Sequence, residues 1–299
     1  MRKIYILAAS ALMTFGLASC DIDNVENFGE LSSGNFPASD VDGEATLAGV
    51  YQNLNQTHAT PQQSFLYNAC LASDDQLGGG GDNDKLMQAL DLILNNGADM
   101  TNQFYVDRYA GINRANMLIS ALPNTSMSEE IKAQYLGEAL FLRAFYYYEL
   151  SSMYGNVPLR TAAGGETMQQ GNIEDIWKQI LQDLRDAIEM MPAKKSTSAG
   201  HVDKYTAEAM LGRAWLFYTG FFCNGSSIAD LTSTNYSPLT SVELLDGTTL
   251  TKQDVIAYID DCVNNSGYSL VPDFRNLWAL RQTPHCPYRQ RLSYADFPG

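Results

Sequence analysis

Histidine and positive charge are scarce in this 299-residue chain: 3 His and 19 Lys+Arg stand against 34 Asp+Glu, a formal net charge of −15. Such an acidic chain repels phosphate backbones and anionic headgroups, which disfavours nucleic-acid binding and polybasic docking on lipid. His58, His201 and His285 do not have the i,i+4 spacing of a helical zinc site. There is no GxSxG elbow, no P-loop lysine and no CxxC pair. Gly78-Gly79-Gly80-Gly81 lacks the strand and helix context of a phosphate cradle and reads as a flexible loop. After residue 20 no window is apolar enough to cross a bilayer, which takes about 20 residues. Charged residues, at 18%, fall below the usual share of about 25%, and uncharged polar and aromatic residues take their place, with 17 Tyr. The 45% hydrophobic content is enough for a substantial core. At roughly 100–200 residues per domain, the length fits one large domain or two small ones.

The acids do not form a convincing reactive set. Asp74-Asp75, Asp82 with Asp84, and Asp260-Asp261 are close in sequence. The carboxyls of a glycosidase instead face each other across a sugar, about 5–9.5 Å apart. Asp82-Asn83-Asp84 lacks the Gly and distal Glu of an EF-hand loop. Solvated loop acids are the expectation, with no catalytic residue, no metal site and no cofactor. After Cys20 the cysteines are Cys70, Cys223, Cys262 and Cys286. An even number permits disulfides in an exported protein. Their apolar or helical context favours buried thiols.

Met1-Arg2-Lys3 is basic, Ile4 to Leu17 is apolar or small, and Leu17-Ala18-Ser19-Cys20 follows. This is the layout of a secretory signal, residues 1–19. Leu-Ala-Ser-Cys resembles a bacterial lipobox, which implies diacylglycerol and amide-linked acyl (palmitate-type) chains on Cys20. One chain anchors only marginally, and two or more hold a protein stably. In a bacterial lipoprotein the four Asn-x-Ser/Thr triplets carry no glycan. Residues 20–42 are acidic at the start and Ser/Asn/Gly-containing, and read as a tether.

The body, residues 43–278, reads as all-α. Ser126-Met127-Ser128-Glu129 has the form of a capping box, and helical periodicity runs from Glu130 to about Met153. Gly137 and Ala144 on its stripe allow close approach of a neighbouring helix. Gly155 stops it. A second helix of this kind spans about Lys204 to Phe221. A shift of 70 residues places Glu138-Ala139 on Glu208-Ala209 and Arg143-Ala144 on Arg213-Ala214. Each is preceded by an amphipathic helix ending in Pro, at Val106–Leu122 (Pro123) and Ile173–Met191 (Pro192). Further helices fit Gly43–Leu54 and Lys252–Asn264. A twice-occurring helix hairpin predicts a tetratricopeptide-like solenoid with long loop insertions.

Three stretches carry a resemblance to a known family: Arg143 to Leu150 with Met153-Tyr154-Gly155-Asn156-Val157-Pro158-Leu159, Tyr109 to Asn116, and Gly267 to Phe274. Together with the lipobox they resemble the SusD/RagB family. The resemblance implies a lipid-anchored, cell-surface lipoprotein of a Gram-negative outer membrane. It also implies a non-catalytic capture of oligosaccharide or other nutrients, and a SusC-like TonB-dependent transporter as partner. A protein-interaction lipoprotein built on tetratricopeptide-type hairpins is the alternative. The resemblance further implies ligand contacts from Asp74 and Asp75 and from Asn102, Phe104 and Tyr105, with Phe104 near the place of an aromatic stacker. Phe104 and Tyr105 read equally as core residues at the start of a helix. From Ala279 the sequence no longer resembles the family, and residues 279–299 read as an aberrant or disordered tail of an N-terminal portion, or as a genuine short variant.

Lipidation is directly testable. Cys20→Ala is expected to leave an unprocessed or released protein. A variant that stays with membranes after alkaline washing and keeps the wild-type mass would contradict the lipobox.

Overall fold

The computed structural model describes residues 39–55, 64–73, 76–77, 101–164, 169–193, 200–224 and 236–273. Cys20, the tether up to residue 38, Asp74, Asp75, the glycine run, Cys286 and the tail 279–299 lie outside the described residues.

Seven α-helices dominate among the described residues. They are α1 (Asp40–Asn55), α2 (Phe65–Leu71), α3 (Asn102–Ala121), α4 (Glu129–Tyr154), α5 (Ile173–Met190), α6 (Lys204–Trp215) and α7 (Lys252–Asn265). Side chains cap several starts: Asn172 accepts from the Glu174 amide, Asp203 from Thr206, and Thr251 forms a reciprocal capping box with Asp254. The structure is all-α in character, with one added antiparallel hairpin of β1 (Ser241–Glu243) and β2 (Thr249–Thr251) that pairs Val242 with Leu250.

From α3 onward, helices adjacent in sequence pack side by side in opposite directions. The pairings Asn116–Arg143, Arg143–Asp183 and Lys204–Asp261 fix α3 on α4, α4 on α5 and α6 on α7. Helix α1 lies across α3 and α4, where the Tyr146 hydroxyl donates to the Val50 carbonyl at 2.7 Å. Gly137 lets α4 approach α5 closely, since a Cβ there would lie 2.5 Å from Met191 Cγ. Gly155 ends α4 with φ +70, a conformation that suits glycine.

Several expectations are corrected. Ser128, not Ser126, caps α4, with its hydroxyl accepting from the Ile131 amide. Ile131 has no acceptor to return a bond, so no capping box forms. Helix α3 starts four residues before Val106. The α6 helix stops at Trp215 and continues as a π-helical turn, Leu216–Phe221, then a 3-10 turn, Phe222–Asn224. Thr219 turns its hydroxyl back onto the Trp215 carbonyl at 2.7 Å, the kind of local bond that perturbs a regular helix. The 70-residue correspondence holds for Ala144 with Ala214 and for Glu138 with Glu208, all buried. It fails at Arg143, which is buried and ion-paired, whereas Arg213 is exposed and lies over the Tyr148 ring. No described cysteine is fully buried or paired: Cys70 and Cys262 are half-buried and Cys223 is exposed. No described helix is long and apolar enough to cross a membrane.

One buried acid gives a pH dependence. Glu208 has no exposed surface and lies 3.2 Å from Lys204 Nζ, which also binds Asp261. Burial pushes its pKa up to about 7, against the opposing effect of Lys204. A carboxyl in the unfolded chain titrates near 4.3. With the folded value raised, the stability contribution is full below the unfolded pKa and is lost as pH rises through about 7. Glu208→Gln is therefore expected to melt above wild type at pH 8, by about 2–4 °C for roughly 1 kcal/mol, and to show no gain at pH 4. The measurement is a pair of thermal melts at the two pH values.

Candidate ligand-binding site

Among the residues the sequence singles out, Asn102, Phe104 and Tyr105 are described, and all three sit on the first turn of α3. That end of α3 is held against the last turns of α4. The Tyr154 hydroxyl donates to the Thr101 carbonyl at 2.9 Å. The Tyr154 ring meets Tyr105 edge-on at 5.3 Å, and Tyr105 in turn packs on Tyr109 at 4.8 Å. Beneath them lies a buried ionic network. Arg108 Nε donates to Glu149 Oε2 at 2.6 Å, and its Nη1 donates to both oxygens of Asn53 at 3.0 Å. Asn53 Nδ2 donates to the Asp107 carbonyl at 2.5 Å. Burial pushes the Glu149 pKa up, and Arg108 opposes that shift.

The three residues have different fates. Asn102 is exposed and Tyr105 is half-buried. Phe104 has no exposed surface. Its ring stacks on Tyr154 at 6.4 Å and lies 4.9 Å under the Arg108 guanidinium. In this structure Phe104 is a core residue of the helix start and offers no face to a ligand. The physical reason is its position one turn before Arg108, on the face turned to α1 and α4. Tyr154, which orders this end, stands in the family-like stretch Met153 to Leu159 but was not singled out as a site residue.

The side chains that carry the sequence resemblance fasten a loop. Residues 156–164 leave α4 and fold back over α3 and α4. Tyr109 donates to the Pro158 carbonyl at 2.6 Å. The Tyr147 hydroxyl donates to the Arg160 carbonyl at 3.0 Å and accepts from the Arg160 amide at 2.6 Å. Asn116 Nδ2 donates to the carbonyls of Arg160 and Ala162, both at 3.1 Å. Asn113 accepts from the Gly164 amide at 3.1 Å. Burial pushes the hydroxyl pKa of Tyr109 and Tyr147 up, so both stay protonated donors at any physiological pH. No group of three or more His, Cys, Asp or Glu residues suited to a metal occurs among the described residues.

Residues 28–218 match the family model SusD-like, described as starch-binding and associating with the outer membrane. The chain belongs to the SusD-like family. Two curated relatives, SusD-like proteins P38 and P2 of Formosa agariphila, are each 24% identical to this chain. The first match covers 81% of this chain and 48% of the relative, the second 72% and 43%. The SusD-like chain thus spans about half the length of the curated relatives it matches. Among solved structures, a laminarin-binding SusD-like protein is 30% identical with a TM-score of 0.55, covering 61% of this chain and 41% of that one. Surface glycan-binding protein A from Bacteroides thetaiotaomicron, solved with laminarihexaose, shares the fold with a TM-score of 0.58 at 17% identity, covering 81% and 47%.

The geometry separates stability from binding. Phe104→Ala removes a fully enclosed ring and is expected to cost about 3–5 kcal/mol of stability. Tyr105→Ala keeps that core and is expected to cost far less. Urea denaturation of the two variants measures the difference; equal losses would contradict the burial of Phe104.

Proposed function

We propose that this chain is a non-catalytic capture protein for neutral oligosaccharides, anchored through Cys20 at the outer-membrane surface and paired with a SusC-like TonB-dependent transporter. The observation that carries the reading is membership of a family described as starch-binding and outer-membrane-associated. A relative described as laminarin-binding supports the ligand class. The scarcity of reactive motifs suits binding without turnover.

The site is assigned to the α3 start with the acidic stretch before it. Tyr105 supplies aromatic surface for the C–H face of a pyranose, and Asn102 supplies an exposed amide for hydroxyls. Asp74 and Asp75, which lie outside the described residues, are included as acceptors on the strength of the sequence resemblance. The buried pair Arg108–Glu149 beneath holds the end rigid, so little conformational freedom is lost on binding.

A glycan array that includes laminarihexaose and maltohexaose tests this. Wild type is expected to retain at least one of these neutral oligosaccharides and to leave it intact after prolonged incubation. Asp75→Ala and Tyr105→Ala are each expected to weaken binding by roughly tenfold, as for the loss of a charged hydrogen bond or an aromatic contact. Absence of any retained glycan, or appearance of cleaved sugar, would contradict the reading.

A further inference from the structure

Because neighbouring helices run in opposite directions, the α3 start, the α4 end, the α5 start and the π-helical end of α6 all lie at one end of the helical layer. The sequence points to the first of these and says nothing of the last. Between the α5 start, the π turn and strand β1 the structure holds an open groove of about 510 Å³. That lies within the roughly 300–1,000 Å³ range of small-ligand clefts. It lies at the same end of the layer as the Tyr105–Tyr154 cluster. A Cβ added at Gly155, next to Tyr154, would lie 4.0 Å from Ile173, which lines the groove.

The lining has two kinds of surface. Tyr218, Phe222 and Val242 give it an aromatic and aliphatic floor. The Tyr218 ring lies parallel to the buried Trp177 at 5.9 Å, and Phe222 packs on the same indole at 5.5 Å. The π turn produces this arrangement, and such turns recur where a helix serves a function. At the rim stand Glu174, Lys178 and Glu243. Among the described residues none of these three side chains makes a hydrogen bond or ion pair. Other described charges nearer the core are paired: Arg143 with Asp183, Arg185 with Asp186 and Asp246, and Lys204 with Glu208 and Asp261. Two uncommitted carboxylates and an uncommitted ammonium around an aromatic floor suit a ligand with an apolar face and many hydroxyls. Hydroxyl donors meet the carboxylates, and a ring or hydroxyl oxygen meets the ammonium.

We propose that this groove is a second saccharide subsite, taking a further pyranose unit of the same neutral oligosaccharide that engages the α3 start. The ligand class rests on the reading given under Proposed function, whereas the location does not. An oligosaccharide spanning both would be oriented along this end of the layer.

The test uses the full chain and laminarihexaose or maltohexaose, whichever the array retains. The rim variant Glu174→Gln/Lys178→Met/Glu243→Gln changes only side chains that make no hydrogen bond or ion pair among the described residues, and a thermal melt verifies its fold. Calorimetric titration is expected to show an affinity loss of about tenfold or more for the rim variant, separate from the loss in Asp75→Ala. Independently, Cys223 at the groove edge is exposed, and its alkylation by iodoacetamide is followed by mass spectrometry. Saturating hexasaccharide is expected to slow alkylation at Cys223 but not at Cys70. If the sugar binds wild type while the rim variant keeps full affinity and Cys223 stays unprotected, the groove proposal is overturned and the capture reading stands. If no oligosaccharide binds wild type, the capture reading falls and takes the groove's ligand class with it.

Discussion

Arg143 is the point at which three helices and a loop meet. It stands on α4 with only 5% of its surface exposed. Its Nε and Nη2 grip both oxygens of Asp183 on α5, at 2.8 and 2.7 Å. Its Nη1 donates to Asn116 on α3 at 2.8 Å and to the Thr161 carbonyl in the loop at 3.3 Å. Gln179 adds a further donor to Asp183 at 2.7 Å. A buried ion pair of this kind is a weak source of net stability but costs about 3–5 kcal/mol to break from one side. Its use here is positional: the fork of donors admits one relative placement of α3, α4, α5 and the loop 156–164. The second pair, Arg108 with Glu149, repeats the logic nearer the end of the layer and ties in α1 through Asn53.

This arrangement explains which parts of the molecule could be read in the sequence. Helix α4 is legible to within a residue at each end because its apolar period is unbroken and Gly155 stops it. The family-like residues Tyr109, Asn116, Arg143 and Tyr147 stand out as text because each has a fixed structural partner. They build the scaffold, each bonded to a neighbouring helix or to the loop 156–164. Phe104 shows the opposite case. Its residue type and position suit a stacking platform, yet burial depends on where Tyr154 and Arg108 arrive from, which no local pattern encodes. The π turn after Trp215 and the β1–β2 hairpin were equally illegible. The first depends on Thr219 bonding back onto the helix and on Trp177 drawing in both Tyr218 and Phe222. The second rests on three-residue strands too short to show a period.

The same physics links scaffold to function. Aromatic residues gather toward one end of the layer: Tyr105, Tyr109 and Tyr154 at one edge, and Trp177, Phe217, Tyr218 and Phe222 at the other. Rings held rigidly, with their charged neighbours already committed or deliberately free, lose little freedom when a ligand arrives. That suits the capture role proposed above. At the opposite end lies a different chemistry, where His201 bridges Glu138 at 2.9 Å and Glu44 at 3.3 Å. There the side chains satisfy one another and leave little for a ligand.

The most direct measurement of this end-on account is hydrogen exchange on the whole chain with and without a bound neutral hexasaccharide. Slowed exchange is expected in the segments around 102–105 and 218–223, with the opposite end of the layer around 128–135 unchanged. Slowing confined to 128–135 and the His201 region, with the 102–105 and 218–223 segments unaffected, would contradict it.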